Sequence, residues 1–196
     1  MNGTKGAGTR ARLLAAAAEL IAEGGYAPAS VGAIAERAGL ANGALYRHFP
    51  SKAELFVQVF RDAAEDELTA MRAAAARSED FEDRLDAVVR TYATSAFASP
   101  HLAWALVYEP VDPIVDAERL AYRRRYCDGM ADLLRDGVRE GAIPEQNVEL
   151  AAAAVVGAIA EALVGPLSPA SGRVQAQDRI VTEIVGFCRG AIGLSR

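Results

Sequence analysis

A chain of 196 residues with 52% apolar composition can build one compact domain or two small ones, which excludes disorder away from the ends. A formal charge of −5 excludes coating of nucleic acid by bulk electrostatics, yet residues 1–55 hold six Lys and Arg against four Glu while the remainder holds 15 against 22. Two cysteines, two histidines and no Gly-rich phosphate loop, G-x-S-x-G or metal-ligand spacing leave little from which to assemble an enzyme, a cofactor site or a metal site.

The opening MNGTKGAGTR has no apolar run, so no signal peptide is expected. No apolar stretch runs uninterrupted to membrane-spanning length, which places the chain in the cytoplasm. Residues 1–8 are Gly-rich and polar and are expected to form a mobile arm, with Lys5 and Arg10 able to reach an anion. Leu13, Leu14, Ala17, Leu20 and Ile21 then make one stripe over 9–23, and Gly24-Gly25 ends that helix. Tyr26 and Pro28 fall in the connecting loop.

Ser30 is a good cap for a second helix carrying Val31, Ile34, Ala35 and Ala38 at helical spacing. The amides that Ser30 caps could also receive a phosphate. Gly39 supplies the freedom a sharp turn needs, and Leu40 can hold that turn against the first helix. A third helix over 42–49 has Leu45 and Phe49 as anchors, leaving Asn42, Gly43, Ala44, Tyr46, Arg47 and His48 mostly outward, and Pro50 stops it. Two short helices about a glycine turn form a helix-turn-helix, whose second helix enters the major groove of DNA with its first residues at the base edges.

The segment AIAERAGLANGALYRHFPSKAEL resembles the DNA-binding segment of the TetR family of bacterial repressors, most specifically in Leu45, Tyr46, His48, Phe49, Ser51 and Lys52. The detailed resemblance covers roughly residues 9–60. It implies that Tyr46, His48 and Lys52 contact the DNA backbone and that Asn42, Gly43 and Ala44 contact bases. From the residues themselves, Arg10 at the end of the arm, Ser30 through the amides it caps and the outward Arg47 are further candidate contacts. The family usually has Ser or Thr followed by Lys or Arg where this chain has Ala41 and Asn42. Asn42 can instead pair with an adenine edge.

From Ala53 the apolar positions Leu55, Phe56, Val59, Phe60, Ala63, Leu68, Met71 and Ala75 keep helical spacing for about seven turns without Gly or Pro. In family terms this is the lever between two domains, expected here as a helix-turn-helix domain over 1–52 and a larger ligand-binding and dimerisation domain over 53–196. Further helices are expected over 81–98, 102–108, 113–141, 146–164 and 174–194, with a polar loop SPASGR before the last. No run alternates with period two, so the fold is all-α.

The Ala-rich helix over 151–162 is either a close-packed interior segment or, as the family implies, half of a four-helix dimer interface with the last helix. Val155, Val156, Ile159, Leu163, Ile184, Phe187 and Cys188 are the interface candidates. A palindromic operator requires such a homodimer, with reading heads about 34–36 Å apart. Met71, Tyr92, Phe97, His101, Trp104, Tyr108, Tyr122, Tyr126 and Met130 gather most of the later aromatics. They read as plain core or, by the resemblance, as the pocket of a small, largely apolar effector.

Glu109 and Asp112 are expected to pair with Arg123 or Arg124. The function implied is a ligand-responsive DNA-binding regulator, most naturally a repressor. The competing readings are a helical protein-interaction module without a DNA role, and a redox sensor using Cys127, which Arg123, Arg124 and Arg125 flank.

Overall fold

A computed structural model describes residues 3–168 and 176–194, with side chains from Gly8 onward. Among the described residues every regular element is helical. They are α1 (Gly3–Gly24), α2 (Val31–Arg37), a 3₁₀ turn (Asn42–Arg47), α3 (Lys52–Ala75), α4 (Phe81–Ala98), α5 (Pro100–Val107), α6 (Pro113–Glu140), α7 (Val148–Leu167) and α8 (Gln177–Ala191).

The helices gather into two compact units, Met1–Ala64 with Ser99–Leu120, and Glu65–Ala98 with Ala121–Arg196. Packing therefore divides the chain elsewhere than at 52/53. The first half of α3 belongs to the first unit, as do α5, the turn after it and the start of α6.

In the first unit α1 packs on α2 and α5, and α2 packs on the 3₁₀ turn. Leu13, Ile21, Ile34, Leu45 and Phe56 are fully withdrawn from water at its centre, joined by Ala105 and Val115. The Tyr26 ring tilts onto Phe56 at 4.5 Å. Burying side chains of this size contributes about 1.5–3 kcal/mol each, which is what holds short helices that would not persist alone.

In the second unit α4, α7 and α8 pack pairwise around Leu85, Val89, Ile159, Val185 and Cys188. Phe81 presses so closely on Gly137 that a methyl group there would collide with its ring. Arg84 with Glu140 and Arg189 with Glu82 and Asp86 tie the helices at the edge.

Several boundaries differ from the sequence expectation. α1 begins at Gly3, so most of the expected arm is helical. Once Leu13 and Ala17 anchor the helix, each preceding residue adds a hydrogen bond for little ordering cost. α5 starts at Pro100, which fits the first turn because its missing N–H has no partner there anyway.

α7 continues through Gly165 and Pro166 to Leu167. Proline falls in the final turn, where little of the ladder is left to lose, and the Ser168 N–H closes the end on the carbonyls of Val164 and Gly165. By length and composition α7 could cross a membrane, but Glu149 and Glu161 interrupt its apolar run, in keeping with the expectation that no uninterrupted stretch reaches that length. α8 starts at Gln177, and most of the SPASGR loop, with the start expected at Val174, lies outside the described residues.

Candidate nucleic-acid interface

The reading head is built from local chemistry. The Ser30 hydroxyl accepts from the Ala33 N–H at 3.2 Å and opens α2. At the other end Gly39 adopts φ +64°, which only glycine takes without strain, and the Leu40 N–H returns to the Ala35 carbonyl at 2.8 Å. Arg12, from α1, donates to the carbonyl of Ala38 and to that of Gly39 at 3.4 Å, satisfying acceptors that the helix end leaves open. Arg37 donates to Glu23 at 2.8 Å through both guanidinium nitrogens and to Glu19 at 3.3 Å, fixing α2 on α1.

The segment expected as an α-helix over 42–49 is a six-residue 3₁₀ turn, Asn42–Arg47. It is too short to repay α-helix nucleation, and Gly43 disfavours that helix further. Leu45 and Phe49 anchor it as expected. Asn42, Gly43 and Arg47 are exposed, Tyr46 is 60% exposed, and His48 is half-buried. A side chain added at Gly43 would meet nothing, so another backbone or a base edge can approach there.

Ala44 is a correction. It is 4% exposed, drawn into the core beside Leu45, and is withdrawn as a base contact. Two other candidates are occupied within the chain. The Lys52 ammonium donates to the Tyr26 carbonyl at 2.7 Å and lies 3.8 Å from the centre of the Tyr26 ring, and burial pushes its pKa down. Arg10 donates to Gln58 at 3.3 Å and stacks over Phe49 at 5.0 Å.

The expected ion pairs of Glu109 and Asp112 with Arg123 or Arg124 are replaced by hydrogen bonds to the loop after α1. Glu109 accepts from the N–H groups of Tyr26 at 2.8 Å and Ala27 at 3.0 Å, and Asp112 accepts from the Tyr26 hydroxyl at 2.9 Å. Two unpaired backbone donors are a stronger demand than an exposed cation, which water already solvates. Sequence reasoning named both acids but could not see a partner 83 residues away.

The effector candidates do not form one group. His101 (exposed), Trp104 and Tyr108 lie in the first unit, the last two with rings 5.2 Å apart. Met71, Tyr92, Phe97, Tyr122, Tyr126 and Met130 lie in the second. There Tyr92 stacks on Tyr126 at 5.5 Å, and the Tyr126 hydroxyl donates to Glu67 at 2.5 Å. The Tyr122 hydroxyl donates to Glu65 at 2.8 Å, which Arg125 also clasps.

The two carboxylates move in opposite directions. Arg125 and Tyr122 hold Glu65 down at about 2, whereas burial raises Glu67 to about 7 against the pull of the Tyr126 hydroxyl. Glu67 was missed by the sequence reading. Its only signal there is a carboxylate interrupting the apolar stripe of α3 one turn before Met71.

The interface candidates also need correction. Val155, Val156, Ile159, Leu163, Ile184 and Cys188 are buried in their own chain, and only Phe187, 62% exposed, keeps a surface. The open side of α7 carries Leu150, 68% exposed, with Ala153, Ala154 and, half-buried, Gly157 and Ala158. Branched side chains fill the chain's own core first, because they remove more apolar area from water. The redox reading of Cys127 loses its basis, since burial raises the thiol despite Arg123. Cys188 is raised further, to about 11, also by burial.

The sequence matches the family model for bacterial regulatory proteins of the tetR family over residues 13–59 and that for the tetracyclin repressor-like C-terminal domain over 78–163. It is 33% identical over 149 residues, 74% of this chain and 72% of the relative, to the HTH-type transcriptional repressor KstR2 of Rhodococcus jostii (strain RHA1). To the HTH-type transcriptional activator FasR of Mycolicibacterium smegmatis it is 36% identical over 83 residues, 42% of this chain and 38% of the relative. Among solved structures, the transcriptional regulator FadR from Bacillus subtilis in complex with stearoyl-CoA has the same fold, with a TM-score of 0.79 at 21% identity over 92% of this chain and 98% of that one.

Proposed function

The chain belongs to the TetR family of bacterial regulatory proteins and is a DNA-binding transcriptional regulator that responds to a ligand, and from this we propose that it is a dimeric cytoplasmic repressor of a palindromic operator. Its effector, in this reading, is a long-chain acyl thioester. The observation that carries the DNA assignment is the exposed run Asn42–Gly43 followed by Tyr46 and Arg47, on a turn pinned from below by Leu45 and Phe49. Asn42 reads a base edge, Gly43 lets the backbone come close, and Tyr46, Arg47, His48 and Lys52 hold phosphates.

The repressor sense is supported by KstR2, and the effector class by the stearoyl-CoA complex of FadR. Six of the aromatic and methionine candidates lie in the second unit, and in this reading they line the effector site. A homodimer is supported by the open face of α7 with Leu150 and Phe187, apolar surface that a single chain leaves wet.

Ligand and operator then oppose each other reciprocally, each lowering the other's affinity by the same factor. The test is fluorescence anisotropy with a duplex selected from random sequence by the full-length protein. Binding is expected to fall with salt and to reverse on adding stearoyl-CoA. Tightening by the thioester would overturn the repressor reading in favour of an activator, and no effect at micromolar thioester would overturn the effector class.

A further inference from the structure

The C-terminal family model spans residues 78–163, yet residues Ser99–Leu120 inside it fold into the same compact unit as the reading head. The turn between α5 and α6 is held in shape by Arg119, which donates to the carbonyls of Ala105 (2.5 Å), Leu106 (2.8 Å) and Glu109 (2.9 Å) and pairs with Asp116. From this turn the Glu109 carboxylate takes both N–H groups of Tyr26 and Ala27, and Asp112 takes the Tyr26 hydroxyl. Charge-assisted bonds of this kind are about twice as strong as neutral ones.

The approach is close enough to dictate sequence. Gly25 has φ +87°, and a methyl group there would sit 2.9 Å from the Glu109 carboxylate. The same tyrosine engages Lys52, through its carbonyl oxygen at 2.7 Å and its ring at 3.8 Å, and the charges of Glu109 and Asp112 also favour that ammonium. Tyr26 is thus fixed at two points by the acidic turn, with a third bond at the neighbouring Ala27 N–H, and it in turn fixes an ammonium group at the start of α3. With one donor on the carbonyl, Lys52 retains N–H groups to offer a phosphate.

We propose that Glu109 and Asp112 are positioning residues for DNA binding: acting through Tyr26, they hold the Lys52 ammonium in place for a phosphate of the operator. A segment that the sequence assigns to the C-terminal half therefore sets a contact in the reading head, and any displacement of that turn is felt at Lys52. The inference rests on the reading of Lys52 as a phosphate contact.

Tyr26→Phe removes only the hydroxyl bond to Asp112, and Glu109→Gln keeps side-chain size while removing the charge that serves two amides. Operator affinity of the full-length protein is measured against salt for wild type, each variant, Lys52→Ala and the double variants. Lys52→Ala is expected to weaken binding roughly tenfold and to lower the salt slope by about one. Each latch variant should move in the same direction by part of that amount, and should add nothing in the Lys52→Ala background. A latch with a purely structural role would lower the melting temperature without touching the salt slope.

Unchanged slopes in the latch variants, or effects that add fully to Lys52→Ala, would overturn the proposal. An unchanged slope in Lys52→Ala itself would overturn the phosphate reading beneath it, and the two failures are told apart by that single variant. Hydrogen exchange at the Tyr26 and Ala27 amides, expected to accelerate in Glu109→Gln, checks that the latch has been opened.

Discussion

Glu67 gives the sharpest physical prediction. Its side chain is half-buried on the face of α3 shared with Leu68 and Met71, has the Tyr126 hydroxyl as donor at 2.5 Å, and is raised by burial from 4.5 to about 7. The folded chain therefore retains a proton that the unfolded chain has released throughout the window between pH 4.5 and 7. Stability falls as pH rises across that window and is level above it. A displacement of this size corresponds to roughly 3 kcal/mol.

Glu67→Gln keeps an acceptor for Tyr126 and has no charge to bury. Relative to wild type it should be nearly neutral below pH 5 and stabilising by up to about 3 kcal/mol at pH 8. For a chain of this size that is a rise in melting temperature of roughly 6–10 °C. Urea or thermal unfolding of both proteins from pH 4.5 to 8, at one fixed protein concentration because a dimer's stability depends on it, provides the measurement. The comparison cancels every other titrating group. Glu65, held down at about 2 by Arg125 and Tyr122, titrates below this range and in the opposite sense. Parallel pH profiles for the two proteins would refute the reasoning, because they would mean that the carboxyl is solvated.

The other predictions concern the reading head and the open helix face. Asn42→Ala should relax the preferred base at one operator position by about 1–3 kcal/mol in a selection from random duplexes, leaving non-specific affinity intact. Tyr46→Ala should weaken every duplex alike, seen as a uniform shift in anisotropy titrations. Gly39→Ala forces a methyl group onto φ +64° and to 3.0 Å from the Arg12 guanidinium, and should cost about 1–2 kcal/mol in urea unfolding. Phe187→Glu should shift the protein to monomer in sedimentation velocity, with operator binding lost in proportion, because the proposed apolar contact would have to bury an unpaired charge.

Local signals made the reading head legible. Ser30, Gly39, Leu45 and Phe49 each act within a few residues, and each has the role that its chemistry indicates. Ala44 was misplaced because a helical wheel keeps position 44 in water. The tighter turn, pulled inward by Leu45, drags its small neighbour along. α7 shows a different limit. A helix apolar all round does not declare which side meets its own chain, and here size decides. Val155, Val156, Ile159 and Leu163 fill the interior, and the small residues are left outside. Glu109, Asp112 and Glu67 were beyond reach for a third reason: periodicity carries no information on partners such as Tyr26 and Tyr126, brought together by the fold from 59 to 86 residues away.

The distribution of charge in the reading head bears on the proposed dimer. Among residues 8–55 the five Lys and Arg are Arg10, Arg12, Arg37, Arg47 and Lys52. Four of them already have partners inside the chain: Gln58, the carbonyls of Ala38 and Gly39, Glu19 with Glu23, and Tyr26. Of these, Arg10, Arg12 and Arg37 shape the head more than they attract phosphate, while Lys52, in the proposed reading, does both, and a body with net negative charge adds repulsion. A single head should therefore release few counterions and bind weakly with a shallow salt slope. Coupling two such heads through one interface turns the second encounter into an intramolecular one, which multiplies affinity without adding a cation. In the proposed dimer the grip comes from geometry, so a modest change in the separation of the heads is expected to abolish it.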